Sequence, residues 1–224
     1  MKQALLSLLL VPGAALALPP EAKAPQISLP RLQSTYKEAL TVKADFVQEV
    51  YQATLARTKT STGGVYLKKP NLFRWDVLEP EKSLTVSDGR KLRYFTPNAG
   101  VQGKGQVIVR PVRDLTRQPL YRILMGSSSL KAEFHVEKTE RVNGIVAGEK
   151  ETRLTLLPRK DAHWREIDEI TLTVDAKYLI SEINILHSSG NKTRIRLQNQ
   201  TLGSKLPPKL FQFSAPQGAE VIHQ

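Results

Sequence analysis

The chain has 224 residues, with 33 Lys and Arg against 21 Asp and Glu, a formal charge of +12, and no cysteine. The missing thiols exclude disulfides, thiolate catalysis, cysteine metal sites and a lipid anchor on an N-terminal cysteine. The basic balance favours acidic partners, and roughly 200 residues can bury one core without crosslinks.

The first residues have the pattern of a secretory signal. Met1 and Lys2 supply charge, residues 4–11 are apolar, and Ala15-Leu16-Ala17 offers a small-x-small cleavage site. Cleavage after Ala17 is the first expectation and after Ala24 the second. The apolar run is broken by Pro12-Gly13 and is shorter than the ~20 residues a spanning helix needs. The expected organisation is a signal peptide over 1–17, a Pro-rich spacer over 18–28, and one soluble domain over 29–224. Export makes nucleic acid a poor partner.

Ser28 can cap a helix over 29–40, with Pro30 tolerated in its first turn. Leu32, Tyr36, Ala39 and Leu40 form its apolar stripe. The period then changes: Val42, Ala44, Phe46 and Val50 alternate with Lys43, Asp45 and Glu49, a strand with one buried face that Gln48 interrupts. Further strands are expected over 64–69, 72–78, 84–87, 91–96, 106–110, 134–140, 150–157, 167–174, 178–186, 193–200 and 209–214. Asp88-Gly89, Asn143-Gly144 and Ser189-Gly190-Asn191 are hairpin-type turns. Residues 114–125 break the pattern with a short apolar helix, Leu120, Ile123 and Leu124 at helical spacing, a fresh turn at Pro119 and a stop at Gly126. Residues 97–105 read as a flexible loop. The fold class is mainly β: one curved antiparallel sheet with an apolar and a charged face, and a helix across its open side.

Catalytic chemistry is hard to assemble. His135, His163, His187 and His223 are far apart and never at metal-pair spacing. Ser83, Ser87 and the serines at 127–129 lack a nucleophile-elbow context, and Asp88 belongs to a turn. Gly100, Gly103 and Gly105 match no phosphate loop. Asp168 and Glu169 are adjacent on a strand and so face opposite ways. No enzyme activity, cofactor or metal is expected.

The apolar signal is sided. Val65 and Leu67 share a face, and continuing the alternation adds Lys69; Phe73, Trp75 and Val77 face together on the next strand. Two readings follow: ordinary core with Lys69 snorkelling out beside Pro70, or a cation gating an apolar cavity, where it needs a partner.

The runs KKPNLFRW (68–75) and EPEKSLTVSDGRKLRYFTP (79–97) resemble the signature of the periplasmic outer-membrane lipoprotein carrier family, LolA. The likeness extends to Phe46, Gln48 and Val50 and to the ending FQFSAPQGAEV (211–221). The resemblance implies an incomplete β-barrel with helices as a lid over a hydrophobic cavity for lipoprotein acyl chains. On that pattern Tyr36, Val42, Phe46, Val50, Phe73 and Trp75 line the cavity, with Leu120, Ile123 and Leu124 on the lid. Lys69 stands where the family usually has an arginine that holds the lid shut, and a lysine replaces a planar fork of five donors with one rotating ammonium. The implied partners are acylated lipoproteins, an inner-membrane ABC transporter that releases them, and an outer-membrane receptor; the carrier itself would be monomeric. The cysteine-free start argues against the lipid-anchored receptor family, LolB. The alternatives are a carrier or sensor of another lipid or glycolipid, an adhesive module binding anionic polymer, and, most distantly, an esterase.

Overall fold

A computed structural model describes residues 27–101, 103–127, 129–145, 148–160 and 164–224. The expected signal peptide, most of the spacer, and His163 lie outside these residues. The chain opens with α1 (Leu29–Glu38), followed by β1 (Thr41–Gln52), β2 (Arg57–Lys68), β3 (Leu72–Glu79), β4 (Ser83–Asp88), β5 (Lys91–Thr96) and β6 (Gln106–Pro111). Three short helices come next: α2 (Arg113–Thr116), α3 (Pro119–Leu124) and α4 (Leu130–Glu133). The chain closes with β7 (Phe134–Asn143), β8 (Lys150–Pro158), β9 (Ile167–Val174), β10 (Ile180–His187), β11 (Lys192–Leu202) and β12 (Glu220–His223).

All twelve strands form one open sheet in the order β12-β6-β5-β4-β3-β2-β1-β11-β10-β9-β8-β7. It consists of two meanders, β1–β6 and β7–β11, joined where β1 pairs with β11. β6 and β7 therefore lie near opposite edges, so the segment joining them has to cross the sheet. That segment is α2–α4. The position of the helical cover follows from topology as well as from its apolar side chains.

Register keeps the apolar rows on the concave face. Gln48 aligns with Ile195, Ile195 with Ile183, Ile183 with Leu172, and Leu172 with Leu154. On the other meander Trp75 aligns with Val65, and Val65 with Ala44. A bulge lies at Gly63, where the register slips by one residue against β3. A Cβ there would lie 1.7 Å from the Asp76 carbonyl oxygen and 3.0 Å from the Phe46 ring. Glycine is what lets the two strands and that ring approach.

Four expectations are corrected. The sheet is not purely antiparallel, because β12 runs parallel to β6. Residues 209–214 are not a strand: Pro207 and Pro208 carry no N–H for a ladder, and Pro208–Phe211 forms a 3-10 turn instead. Arg74 donates to the Leu210 carbonyl at 3.1 Å, which sets this segment on the convex face. That face is not uniformly charged either. Leu84, Val86, Val107 and Val109 are buried on it, in register with Asp76, Arg74, Phe95 and Arg93, and Phe213 packs on Phe95 at 5.3 Å. Finally, α1 stops at Glu38, and Leu40, assigned to its apolar stripe, is 71% exposed. No side chain caps α1; Ser28 contributes its carbonyl, which accepts from Leu32 N–H at 2.9 Å.

Candidate functional site: an aromatic wall under a helical cover

The concave face carries an aromatic ladder. Phe46 stacks on Trp75 with ring centres 3.8 Å apart, Trp75 is 6.5 Å from Phe73, and Phe73 meets Tyr121 of α3 edge-on at 5.9 Å. Strand alternation aims Phe73 and Trp75 at the same side, and the register to β2 and β1 brings Phe46 across to them. Tyr36, Val42, Phe46, Phe73, Trp75, Ile123 and Leu124 all belong to one buried cluster. Leu120 is half-buried at its margin. Val50 is half-buried and stands outside it. β1 has 12 residues, about 40 Å at the usual rise, and its fully buried positions all lie in its first half.

Sequence periodicity missed Tyr121 and Met125, both buried; their i, i+4 spacing was the available signal. It also missed Trp164, which stacks with Phe134 at 5.9 Å and donates from Nε1 to Glu133 at 2.7 Å. Trp164 lies in no periodic segment, so nothing local marked it.

The cover is fastened by few polar contacts. The Lys69 ammonium donates to the Tyr36 carbonyl at 2.9 Å and to the Lys37 carbonyl, both in the last turn of α1. These carbonyls lack helical partners, and a cation at a helix C-terminus is favoured by the helix dipole. Lys69 is thus a clasp between the β2–β3 turn and α1. On the other side the Tyr36 hydroxyl donates to Gln200 Oε1 at 2.7 Å and accepts from Ile180 N–H at 2.8 Å. Tyr121 donates from its hydroxyl to Asn71 Oδ1 at 3.1 Å. Leu130 N–H donates to Gln33 Oε1 at 3.2 Å, tying α4 to α1. Gly126, at φ +60°, lets α3 end directly against α1: a Cβ there would lie 2.3 Å from Lys37 N.

Burial sets the electrostatics. It raises the Tyr36 and Tyr121 phenols, Tyr121 to about 12, so both are neutral hydrogen-bonding groups. It lowers the Lys69 ammonium, with the charge of Lys37 acting in the same direction. Lys69, Asn71, Tyr121 and Met125 line a cleft of about 470 Å3 at the seam between the strands and α3. Among the described residues no group of His, Asp and Glu is placed to hold a metal. Ser87 builds its turn, donating to the Asn71 carbonyl at 2.8 Å and accepting from Gly89 N–H at 3.1 Å. Asp88 accepts from the N–H groups of Arg90 and Lys91 and pairs with Arg93 at 2.7 Å.

Among the described residues the arrangement is an apolar, largely aromatic wall under short helices. The family model for the outer membrane lipoprotein carrier protein LolA matches residues 37–214. An outer-membrane lipoprotein carrier protein of Chromohalobacter salexigens is 26% identical over 212 residues, 95% of this chain and 94% of its own. That of Methylococcus capsulatus is 28% identical over 192 residues, 86% of each chain. A solved LolA superfamily protein of Nitrosomonas europaea is 12% identical, covers 84% of this chain and 99% of its own, and superposes with a TM-score of 0.41. The chain belongs to the LolA family of outer-membrane lipoprotein carriers.

Proposed function

We propose that the protein binds lipoprotein acyl chains against the concave wall and carries them through the periplasm from an inner-membrane ABC transporter to the outer membrane, as a monomer. Tyr36, Val42, Phe46, Phe73 and Trp75 form the wall; Leu120, Tyr121, Ile123 and Leu124 form the movable cover; Lys69 is the latch. Val50 lies at the far end of β1, where only the distal part of a long chain would reach it. The signal at 1–17 directs export, and the domain over 29–224 does the carrying.

The observation that carries this reading is a large aromatic wall covered by helices of four to ten residues, too short to be stable alone. An acyl chain of about fifteen methylenes gains about 12 kcal/mol on burial, at about 0.8 kcal/mol each. Two or three such chains in a rigid cavity would gain more on burial than the ceiling of non-covalent affinity, about 18–21 kcal/mol, and could not be released. Burial of Tyr121, Ile123, Leu124 and Met125 by the cover gains about 2 kcal/mol per side chain. The closed empty state, at about 8 kcal/mol, offsets about two thirds of the gain from one chain and makes release of each chain easier. A photo-crosslinking residue at Phe73 or Leu120, followed by mass spectrometry of the adducts from cells, tests the reading. Adducts with lipoproteins support it. Adducts with other lipids favour the alternative, a carrier or sensor of another lipid or glycolipid. Adducts with neither reject both.

A further inference from the structure

A second concavity borders α3 and shares Arg122 with the cleft beside the latch. It measures about 1100 Å3, and among the described residues its lining includes Arg117, Arg122, Lys160 and Arg165 with Glu166 as the one carboxylate, over the buried ring of Trp164. Arg122 is committed: it pairs with Glu133 and lies 5.0 Å over the Trp164 ring. Arg117, Lys160 and Arg165 have no carboxylate, hydrogen-bond or ring partner among the described residues. Three cations without a partner among the described residues line one cleft; they repel one another, and a concave surface raises their shared potential. Neither the aromatic wall nor the latch uses them.

We propose that this cleft binds a phosphate-bearing anion of the kind a phospholipid headgroup presents, and that the anion competes with Glu133 for Arg122. Guanidinium groups match the oxygens of a phosphate in paired hydrogen bonds, and an ammonium adds a point charge. Trp164 supplies a flat apolar floor for the glycerol side of such a group. Arg122 is the coupling element, because it sits on α3, the helix that carries Tyr121, Ile123 and Leu124. Drawing its guanidinium toward an anion loosens the tie between α3 and α4 and so favours an open cover. Anion binding does not depend on the acyl-chain reading; its coupling to the cover rests on that reading.

Trp164 is a built-in reporter once the other tryptophan is removed by Trp75→Phe. The protein is titrated with inorganic phosphate, with sub-micellar dihexanoyl-phosphatidylglycerol, and with dihexanoyl-phosphatidylcholine as the zwitterionic control. Saturable, salt-sensitive change in Trp164 emission with phosphate or phosphatidylglycerol is the expected result, weakened by about tenfold or more in Lys160→Glu/Arg165→Glu. Tighter binding of phosphatidylglycerol than of phosphate identifies a lipid headgroup as the source; equal binding identifies free phosphate. No saturable change with either anion overturns the proposal, as does affinity kept within about twofold in the charge-reversed variant. Should that variant fail to fold, Arg117→Ser together with the salt dependence of the parent serves the same purpose. Anion binding without lipoprotein adducts rejects the acyl-chain reading alone, and adducts without anion binding reject this inference alone, so the two readings fail separately.

Discussion

Replacing Lys69 with leucine removes the two donations that hold the last turn of α1. A hydrogen bond to a charged group contributes about 1.5–3 kcal/mol. Lys69 is half-exposed and its ammonium gives up hydration to reach α1, so solvent screening reduces the pair to about 1–2 kcal/mol in total. That corresponds to a 5–30-fold rise, on the order of magnitude, in the open population. Amide hydrogen exchange resolves this residue by residue. In Lys69→Leu the amides of α1 should lose protection by roughly that factor, while those of β9, β10 and β11 keep theirs. Lys69→Arg should retain or increase the protection, since a guanidinium can serve both carbonyls at once. Unchanged protection of α1 in Lys69→Leu, or an equal loss across the whole sheet, would refute the latch. Because the chain has no cysteine, a disulfide engineered between α1 and the β2–β3 turn would trap the closed state without competing thiols.

Other substitutions probe the remaining fastenings. Tyr36→Phe leaves the buried Ile180 N–H without its acceptor and should cost about 2 kcal/mol, a fall in Tm of about 4–8 °C for a chain of this size by calorimetry. Gly126→Ala drives a Cβ against Lys37 N at 2.3 Å from a backbone at φ +60°; the α1–α3 contact should spring open and binding of an apolar dye should rise while strand circular dichroism persists. Asp88 shows the pH dependence: burial raises its carboxyl, but the Lys91 and Arg90 N–H groups and Arg93 outweigh burial and hold it at about 2. Its folded value lies below its ordinary 3.8, so its contribution is complete above 3.8 and is lost as pH falls toward 2. Asp88→Asn should flatten the acid-unfolding curve in that window.

The wall was legible in the sequence because alternation is a local property: Val42, Ala44 and Phe46, then Val65 and Leu67, then Phe73 and Trp75 announce their face within a few residues. The clasp was only half legible. Lys69 stood out as a cation in phase with an apolar face, but its acceptors, the Tyr36 and Lys37 carbonyls, belong to the backbone and leave no trace in side-chain pattern. Leu40 was misplaced because periodicity says which way a residue points and nothing about where the helix ends. The strand expected over 209–214 failed for a related reason. Its alternation was real, but Phe211 and Phe213 serve the convex face, crossing over the sheet rather than joining it.

Composition and periodicity by themselves determined a cysteine-free, basic, strand-rich domain with a one-sided aromatic segment and a short apolar helix, since each is written in residue type and spacing. Tertiary structure alone decided the parallel last strand, the second apolar patch on the convex face, the hold of Lys69 on α1, and the gathering of Arg117, Lys160 and Arg165 beside Trp164. Each of these joins segments about 20 to more than 100 residues apart in the chain, and such contacts depend on how the strands are ordered in the sheet, which local pattern does not encode.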